Sequence, residues 1–161
     1  MQQTGYLVYR TYKSAHGDIP GAPVPIKLNE FLPDTREIGQ GVVVNQAGWE
    51  QTMENNTDAF MVGFVQRSRF RATYPTALTP AEFVDRLFAN ADVVPAESER
   101  TAAIIEFGSA TTTHDLSARA LRQVAENSTL AQRELNRAFV LMQYFGYLRR
   151  NPVDAPESAL D

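Results

Sequence analysis

The sequence predicts an all-α domain, an irregular bundle of about six helices built from weak internal helical repeats. Apolar side chains recur at the three- and four-residue steps of amphipathic helices, and prolines or glycines follow most of these apolar segments. A capping box with proline at the first helical position stands at Thr79–Glu82 and is a specific signal for a helix start. One short β pair near Val42–Val44 is the only strand content that the pattern allows.

The first helix is predicted over Gln3–His16, where Val8 and Tyr12 have the four-residue spacing of one helical face. Gly17 ends this helix because glycine readily adopts the left-handed conformation found at helix C-termini. Residues 18–25 contain three prolines and one glycine, so we expect a loop there.

Two short helical pieces are predicted next, Leu28–Leu32 and Thr35–Ile38, with Pro33 stopping the first. Residues 39–44 then hold two glycines and three consecutive valines. This segment has the composition of a short strand, but a lone strand has no partner to pair with. We therefore interpret it as a packed connector between helices.

The segment Gln46–Thr73 is predicted to form one long helix or two closely joined ones, because large apolar side chains recur along it at near-helical steps. Asn55 and Asn56 are weak helix formers and mark the expected break, after which Thr57 caps the second half. Trp49 has helical spacing from other apolar residues and is predicted to lie in the core.

Four helices are predicted in the second half of the chain, and a polar, threonine-rich loop that includes His114 separates the second from the third. The last helix is apolar on nearly every side along Phe139–Leu148, which is typical of a buried helix. We expect its large side chains to lie in the main core: Phe139, Leu141, Met142, Phe145 and Leu148. The four predicted helices begin at the Thr79 capping box and then run over Ala96–Phe107, Asp115–Glu126 and Thr129–Arg149.

Composition limits the class of protein. The 161 residues are 43% hydrophobic and 21% charged, as in a single globular domain, so we assign residues 1–152 to one helical domain and residues 153–161 to a flexible acidic tail. The absence of cysteine excludes disulfides, thiolate metal ligands and cysteine nucleophiles. The net charge of −4 argues against nucleic acid as a partner, and the longest apolar stretch is too short for membrane insertion.

A weak internal repeat connects three of the predicted helices. In each copy a valine precedes an aromatic residue by four positions, which places both on one helical face, and a proline follows the aromatic by seven or eight. The three copies are Val8-Tyr12-Pro20, Val84-Phe88-Pro95 and Val140-Tyr144-Pro152.

The segment from Arg137 to Pro152 (RAFVLMQYFGYLRRNP) resembles the signature of the domain of unknown function 4214 family, in which a helix of the form F-V-x-x-x-Y-x-x-x-L-x-R-x-P precedes an aspartate-rich turn. Val153–Pro156 is similar to that turn, and the first two repeats are similar to degraded copies. The resemblance implies an excerpt of a larger modular bacterial protein, secreted or on the cell surface. It offers no catalytic or binding residues to carry over. A fainter similarity in helical layout, to phycobilisome linker domains, implies scaffolding.

The candidate catalytic groups are few. His16 and His114, each close in sequence to an aspartate, lie in or beside predicted loops, so we interpret them as exposed side chains outside any metal site. Carboxylates near helix starts are interpreted as partners of the helix dipole and as solvated surface. Arg67, Arg69 and Arg71 alternate and do not share one helical face, which favours a solvated helix end over the alternative of an anion site. No glycine-rich phosphate loop occurs, and we expect no cofactor.

The sequence therefore favours a non-catalytic accessory or interaction domain. The alternative is a scaffold or linker-like domain that mediates self-assembly, and an enzyme with an unrecognised site comes third. We expect the interaction surface to include Leu7, Tyr9 and Tyr147, and the partner to be a neighbouring domain of the same protein or a second copy. A deep pocket that holds His114 beside two acids would instead favour the enzyme.

Overall fold

The computed structural model describes residues 2–108 and 113–154. Across these two ranges the chain contains eight α-helices and no β-strand, so the predicted all-α class is confirmed. A 3-10 turn, Glu106–Gly108, follows the sixth helix, and a π-helical turn, Tyr144–Leu148, follows the eighth. The helices are α1 (Gln2–His16), α2 (Leu28–Gly39), α3 (Trp49–Val65), α4 (Ser68–Thr73), α5 (Pro80–Ala91), α6 (Glu97–Ile105), α7 (Thr113–Ala125) and α8 (Ser128–Gln143).

Helix α1 lies at the centre of the bundle and contacts α2, α4, α5, α7 and α8. Val8 and Tyr9 are both fully buried on it. Gly5 allows a close approach of the surrounding helices, because a Cβ atom there would lie 2.6 Å from Met142 Sδ and 3.1 Å from the ring of Phe31. Gly17 ends α1 with a φ of +68°, as predicted from the sequence.

Helix α2 corrects one prediction. Pro33 does not stop it, and Leu28–Gly39 is a single helix with the proline inside. Proline cannot donate the backbone hydrogen bond to the carbonyl of residue 29. Burial of Phe31 and Ile38 along the same helix offsets that loss, since the two side chains are only 8% and 1% exposed.

The connector between α2 and α3, residues 40–48, consists of turns, and the short β pair that the sequence pattern allowed near Val42–Val44 does not form. The last two of these valines are 58% and 57% exposed, so the segment is not a packed connector either. Gly41 and Asn45 adopt left-handed φ values of +70° and +71°, which interrupt any extended run. Trp49 begins α3 and is only partly buried.

The break in the predicted long helix falls between α3 and α4, at residues 66–67, and not at the two asparagines. Asn56 lies inside α3, where its Nδ2 donates to the carbonyls of Ile38 and Gln40 at 2.9 and 2.8 Å. It therefore satisfies carbonyl groups at the C-terminal end of α2. Thr57 also lies inside α3 and caps nothing, because its hydroxyl donates to a carbonyl within the same helix.

Helix α5 begins as predicted. The Glu82 N–H donates to Thr79 Oγ1 at 3.2 Å, and the Thr79 N–H donates to the Glu82 carboxylate at 2.8 Å. This reciprocal pair satisfies two backbone donors at the helix start. The predicted helix Ala96–Phe107 is divided into α6 and the 3-10 turn, and α7 begins early enough to include His114 in its first turn.

Helix α8 and its π-helical turn occupy the predicted last helix, but that helix is not buried on all sides. Leu141 and Phe145 are each 1% exposed, as expected, whereas Phe139 and Leu148 are 44% and 52% exposed. The reason is that α8 packs mainly on α1, so its opposite side faces solvent. Of the predicted tail, residues 155–161 lie outside the described part of the chain.

Candidate functional site

An apolar groove of about 460 Å³ runs beside α8, between that helix and the loop of residues 17–27. Pro23 and Val24 of that loop form one wall, Pro152 after the π-helical turn forms another, and α8 forms the third, where Val140 is 53% exposed. We call it the α8 groove, and the residues lining it are Pro23, Val24, Asn136, Arg137, Val140, Leu141, Tyr144 and Pro152.

The loop wall of the α8 groove is held by backbone hydrogen bonds. The Ile19 N–H donates to the Val24 carbonyl at 2.9 Å, and the Ala22 N–H donates to the Ile19 carbonyl at 2.9 Å. Gly21 makes the turn between them with a φ of +80°. Ile26 is fully buried and anchors the end of the loop. The loop therefore presents a fixed apolar edge to α8.

The opposite end of the groove is fastened by Asn151. Its Oδ1 accepts the Leu28 N–H at 2.8 Å, which connects the chain after α8 to the first turn of α2. Its backbone N–H and Nδ2 both donate to Asp154 Oδ2, at 2.7 and 3.0 Å. Pro152 lies between these two anchored residues, so its ring is held in the groove wall.

Arg137 carries the charge of the α8 groove, since the other described lining residues are neutral. Its side chain is 55% exposed, and its guanidinium lies 3.8 Å from the carboxylate of Asp18. Asp18 makes a much closer pair with Lys13, at 2.9 Å. The guanidinium of Arg137 is therefore available to an anionic group beside the apolar wall.

The three residues predicted for an interaction surface do not lie together. Tyr147 is 82% exposed, on the π-helical turn after the groove. Leu7 is partly buried and lines a different cavity, with Arg10 and Arg122. Tyr9 is fully buried, so its assignment to a surface is wrong.

The core can accommodate the hydroxyl group of Tyr9 because this group has a polar partner there. Its hydroxyl donates to Glu134 Oε2 at 2.7 Å, and Glu134 is only 4% exposed. Burial, followed by this hydrogen bond, raises the pKa of Tyr9 well above its ordinary value. The pair is a structural link between α1 and α8.

A second buried polar cluster surrounds Asp34. Arg67 donates to its two carboxylate oxygens at 2.8 and 2.9 Å, and the Tyr12 hydroxyl donates to it at 2.8 Å. The Arg67 guanidinium also lies over the rings of Phe60 and Phe64, at 5.6 and 4.9 Å. Burial alone would lower the pKa of Arg67, but the bonds and charge of Asp34 raise it. Arg67 is therefore more than the solvated helix end predicted for it: its side chain is 37% exposed, but its guanidinium is held by Asp34.

His16 also differs from its prediction, because it lies at the end of α1 and is half-buried. Its ring is 6.3 Å from that of Tyr12 and 5.9 Å from that of Phe64. Burial first, and then the positive charges of Arg69 and Arg67, lower the pKa of His16 to about 4. The imidazole is therefore neutral near pH 7, and it packs as an aromatic ring.

His114 is exposed, as predicted, and is one of the residues that line a cavity of about 730 Å³. Two acids beside His114 would have favoured an enzyme, but no carboxylate occurs among the described residues that line this cavity. We call it the aromatic cavity, and it is lined by Val65, Ser68, Phe70, Arg71, Ala72, Tyr74, Pro75, Thr76, Leu78, Phe83, Phe107, His114 and Ser117.

The exposed carboxylates have the roles expected for solvated surface and helix starts. Glu82 completes the capping box of α5, and Asp85 pairs with Arg100 at 2.7 Å. Glu54 pairs with Arg122 on the neighbouring helix α7, at 2.8 Å. These groups bind arginines or backbone N–H groups.

Within residues 2–108 and 113–154, no three His, Cys, Asp or Glu side chains are grouped as a metal site would require. In the same ranges no helix combines the length and the apolar character needed to cross a bilayer. No protein-family model, curated protein or solved structure matches the chain. The family resemblance of residues 137–152 therefore stays a prediction, and the function has to be inferred from geometry.

Sequence reasoning missed the loop wall of the α8 groove because it interpreted the prolines of residues 18–25 only as signs of a loop. A usable signal was present in Pro23-Val24-Pro25, where two prolines restrict the backbone around one apolar side chain. No comparable signal marks Arg67, whose partner Asp34 is 33 positions away.

Proposed function

We propose that this chain is a non-catalytic interaction module, and that the α8 groove binds an apolar segment of another polypeptide with a carboxylate beside it. The observation that carries the proposal is the preformed apolar groove with the available guanidinium of Arg137 at its side. Mostly apolar clefts with a few oriented polar groups are the usual form of binding sites, and grooves of this kind take apolar faces of peptides.

The internal repeat predicted from the sequence supports this proposal. In its first two copies the valines, Val8 and Val84, are fully buried within the bundle. In the third copy Val140 is 53% exposed, and Tyr144 is only partly buried. Both residues line the α8 groove. In the third copy a bound partner would cover the helical face that carries Val140 and Tyr144. Neighbouring helices of the bundle cover the corresponding face in the first two copies.

The charge around the groove supports an acidic partner. A carboxylate that reached Arg137 would form a charge-assisted hydrogen bond of about 2.7–2.9 Å, much closer than the present 3.8 Å contact with Asp18. Such a bond would set the direction in which the segment lies, while apolar burial would supply most of the affinity.

Self-assembly is the second candidate function, and one observation favours it. Further apolar side chains are exposed along the outward side of α8 and its π-helical turn, beyond the groove itself. They are Leu135, Phe139, Tyr147 and Leu148, with exposed fractions of 48%, 44%, 82% and 52%. A second copy of the chain could cover this wider face.

Fluorescence of 1-anilinonaphthalene-8-sulfonate tests the groove, because this probe combines apolar rings with an anionic group. We expect enhanced emission with the wild-type chain and, in Val140→Asp, loss of the part of that emission that comes from the α8 groove, because this variant places a carboxylate there. Val94→Asp is the matched control, since Val94 is 96% exposed in the connector between α5 and α6. Unchanged emission in Val140→Asp would remove the basis of the proposal.

A synthetic amphipathic peptide rich in Leu and Glu then replaces the dye, and a Leu- and Lys-rich peptide of the same length is its control. The proposal requires tighter binding of the acidic peptide, and loss of that preference in Arg137→Gln.

Sedimentation velocity at rising protein concentration tests the self-assembly alternative. A dimer that Val140→Asp or Phe139→Asp dissociates would favour the scaffold.

A further inference from the structure

The aromatic cavity is a second concave site, and it shares no lining residue with the α8 groove. It lies between α4, α5 and α7, and the segment that joins α4 to α5 closes one side. Its volume of about 730 Å³ falls within the range of sites that hold small organic molecules, about 300–1,000 Å³.

One wall of the aromatic cavity is a rigid cluster of rings. The Phe83 ring lies 4.9 Å from that of Tyr74 and 5.2 Å from that of Phe107, and Phe70 stacks on Tyr74 at 4.5 Å. The Tyr74 hydroxyl donates to the Ala15 carbonyl at 2.6 Å, which fixes the cluster to α1. Phe70, Tyr74 and Phe83 are only 3%, 6% and 4% exposed, so they form the fixed backing of this wall. The ring of Phe107 is only partly buried and is the part of the wall most accessible to a flat apolar ligand.

Arg71 carries the formal charge of the aromatic cavity, among the described residues that line it. Arg71 is exposed on α4, and its neighbours in the lining are the hydroxyl groups of Ser68 and Ser117 and the His114 imidazole. Among the described lining residues none is acidic. An anion that enters the cavity therefore meets a cation and hydrogen-bond donors without a competing carboxylate.

Arg71 also differs from the two arginines that precede it. Arg67 is held by Asp34 at 2.8 Å, and Arg69 lies 3.3 Å from Glu30. In the part of the chain that the structure describes, no carboxylate lies within ion-pair distance of Arg71. Its guanidinium is therefore free to bind an external carboxylate through two parallel N–H···O bonds.

We propose that the aromatic cavity binds a small aromatic carboxylate, whose ring packs beside Phe83 and Phe107 and whose carboxylate binds Arg71. The ring wall gives shape selectivity, and Arg71 selects the charge. An uncharged ligand of the same shape would keep the apolar contacts and lose the ion pair. The site is independent of the α8 groove, so either one can fail without the other.

Titration with 2-naphthoate, followed by two-dimensional NMR of the uniformly ¹⁵N-labelled chain, tests the site. We expect the signals of the cavity-lining residues to shift, and Arg71→Gln to raise the Kd about tenfold, which corresponds to about 1.4 kcal/mol. Arg36→Gln is the matched control, because Arg36 is exposed on α2 and lines neither the aromatic cavity nor the α8 groove. The Kd of Arg36→Gln should equal that of the wild type.

The uncharged analogue 2-naphthamide isolates the ion pair, and it should bind the wild-type chain about as weakly as 2-naphthoate binds Arg71→Gln. Ser117→Leu fills the cavity from α7 and should abolish the shifts, with circular dichroism confirming that the helices remain. Equal affinities for naphthoate and naphthamide, equal losses in the two arginine variants, or shifts confined to the α8 groove would each overturn the proposal.

Discussion

Asp34 and Arg67 form a two-pronged ion pair, with nitrogen–oxygen distances of 2.8 and 2.9 Å, in which the side chain of Asp34 is only 6% exposed. The pair fastens α2 to the junction between α3 and α4, and the Tyr12 hydroxyl extends the link to α1. A carboxylate in this position depends on its partner, because a buried charge without a counter-charge is strongly destabilising.

Arg67→Gln should therefore lower the free energy of unfolding by roughly 3 kcal/mol, since it leaves Asp34 buried without its cation. Urea denaturation followed by circular dichroism measures this change. Arg100→Gln is the control, because it breaks an exposed pair with Asp85 and should cost less than about 1 kcal/mol. Equal costs in the two variants would show that the Asp34 pair is no more than a surface contact.

The titration of His16 predicts how stability depends on pH. Its pKa is about 4 in the folded chain and 6.5 as an ordinary value, so the unfolded chain binds the proton more tightly. Stability from this group is therefore complete above about pH 6.5 and is lost as the pH falls from there towards 4. The imidazole is only half-buried, and solvent screening limits the loss to about 2 kcal/mol at most.

His16→Gln should remove this component and leave the remaining pH dependence unchanged. Other charged groups face His16, namely Glu30 and Asp34 from α2 and Arg67 and Arg69 from the α4 region, so only the difference between variants is informative. Urea unfolding at pH 7 and pH 5 measures that difference. Identical pH profiles for the wild type and His16→Gln would contradict the prediction.

Two phenylalanines of the last helical segment provide a direct comparison. Phe145→Ala should cost roughly 3–5 kcal/mol, because the ring is 1% exposed and packs 5.0 Å from that of Phe31. Phe139→Ala should cost less than about 1 kcal/mol, because that ring is 44% exposed. Chemical denaturation of both variants checks the pair. A larger cost for Phe139→Ala than for Phe145→Ala would mean that the Phe139 side of this helical segment, and not the Phe145 side, packs against the core.

The capping box of α5 predicts a smaller effect. Thr79→Ala removes the acceptor for the Glu82 N–H and should cost about 1 kcal/mol. Thr76→Ala, at an exposed position just before the box, should change the free energy of unfolding by less than about 0.5 kcal/mol. Thermal unfolding of the two variants measures the difference in stability, and overlapping unfolding curves would argue against a stabilising cap.

The sequence predicts this fold well where the controlling groups are close together in the chain. Thr79 and Glu82 are three residues apart, and Gly17 directly follows the helix that it ends, so local chemistry is sufficient at both places. Pro33 shows the limit of local rules, because burial of Phe31 and Ile38 keeps α2 helical despite the proline.

The candidate site is less predictable, because its geometry depends on distant parts of the chain. The apolar composition of α8 does not reveal which side α1 covers, since many apolar side chains remain exposed in any protein. Tyr147 is exposed at the surface. Pro23 lies opposite α8 in the groove wall although it is more than 100 positions away in the sequence, so only the folded chain brings the two together.

The hydrogen bond between Tyr9 and Glu134 joins residues 125 positions apart, so during biosynthesis it can form only after nearly the whole chain has been made. At about 5–20 residues per second, a ribosome needs about 6–25 s to make the chain between them. Throughout that interval the apolar side of α1 that α8 later covers is open to chaperones and to other nascent chains. We therefore expect substitutions that slow the packing of α8 onto α1 to lower the yield of folded protein, even where the folded molecule is equally stable.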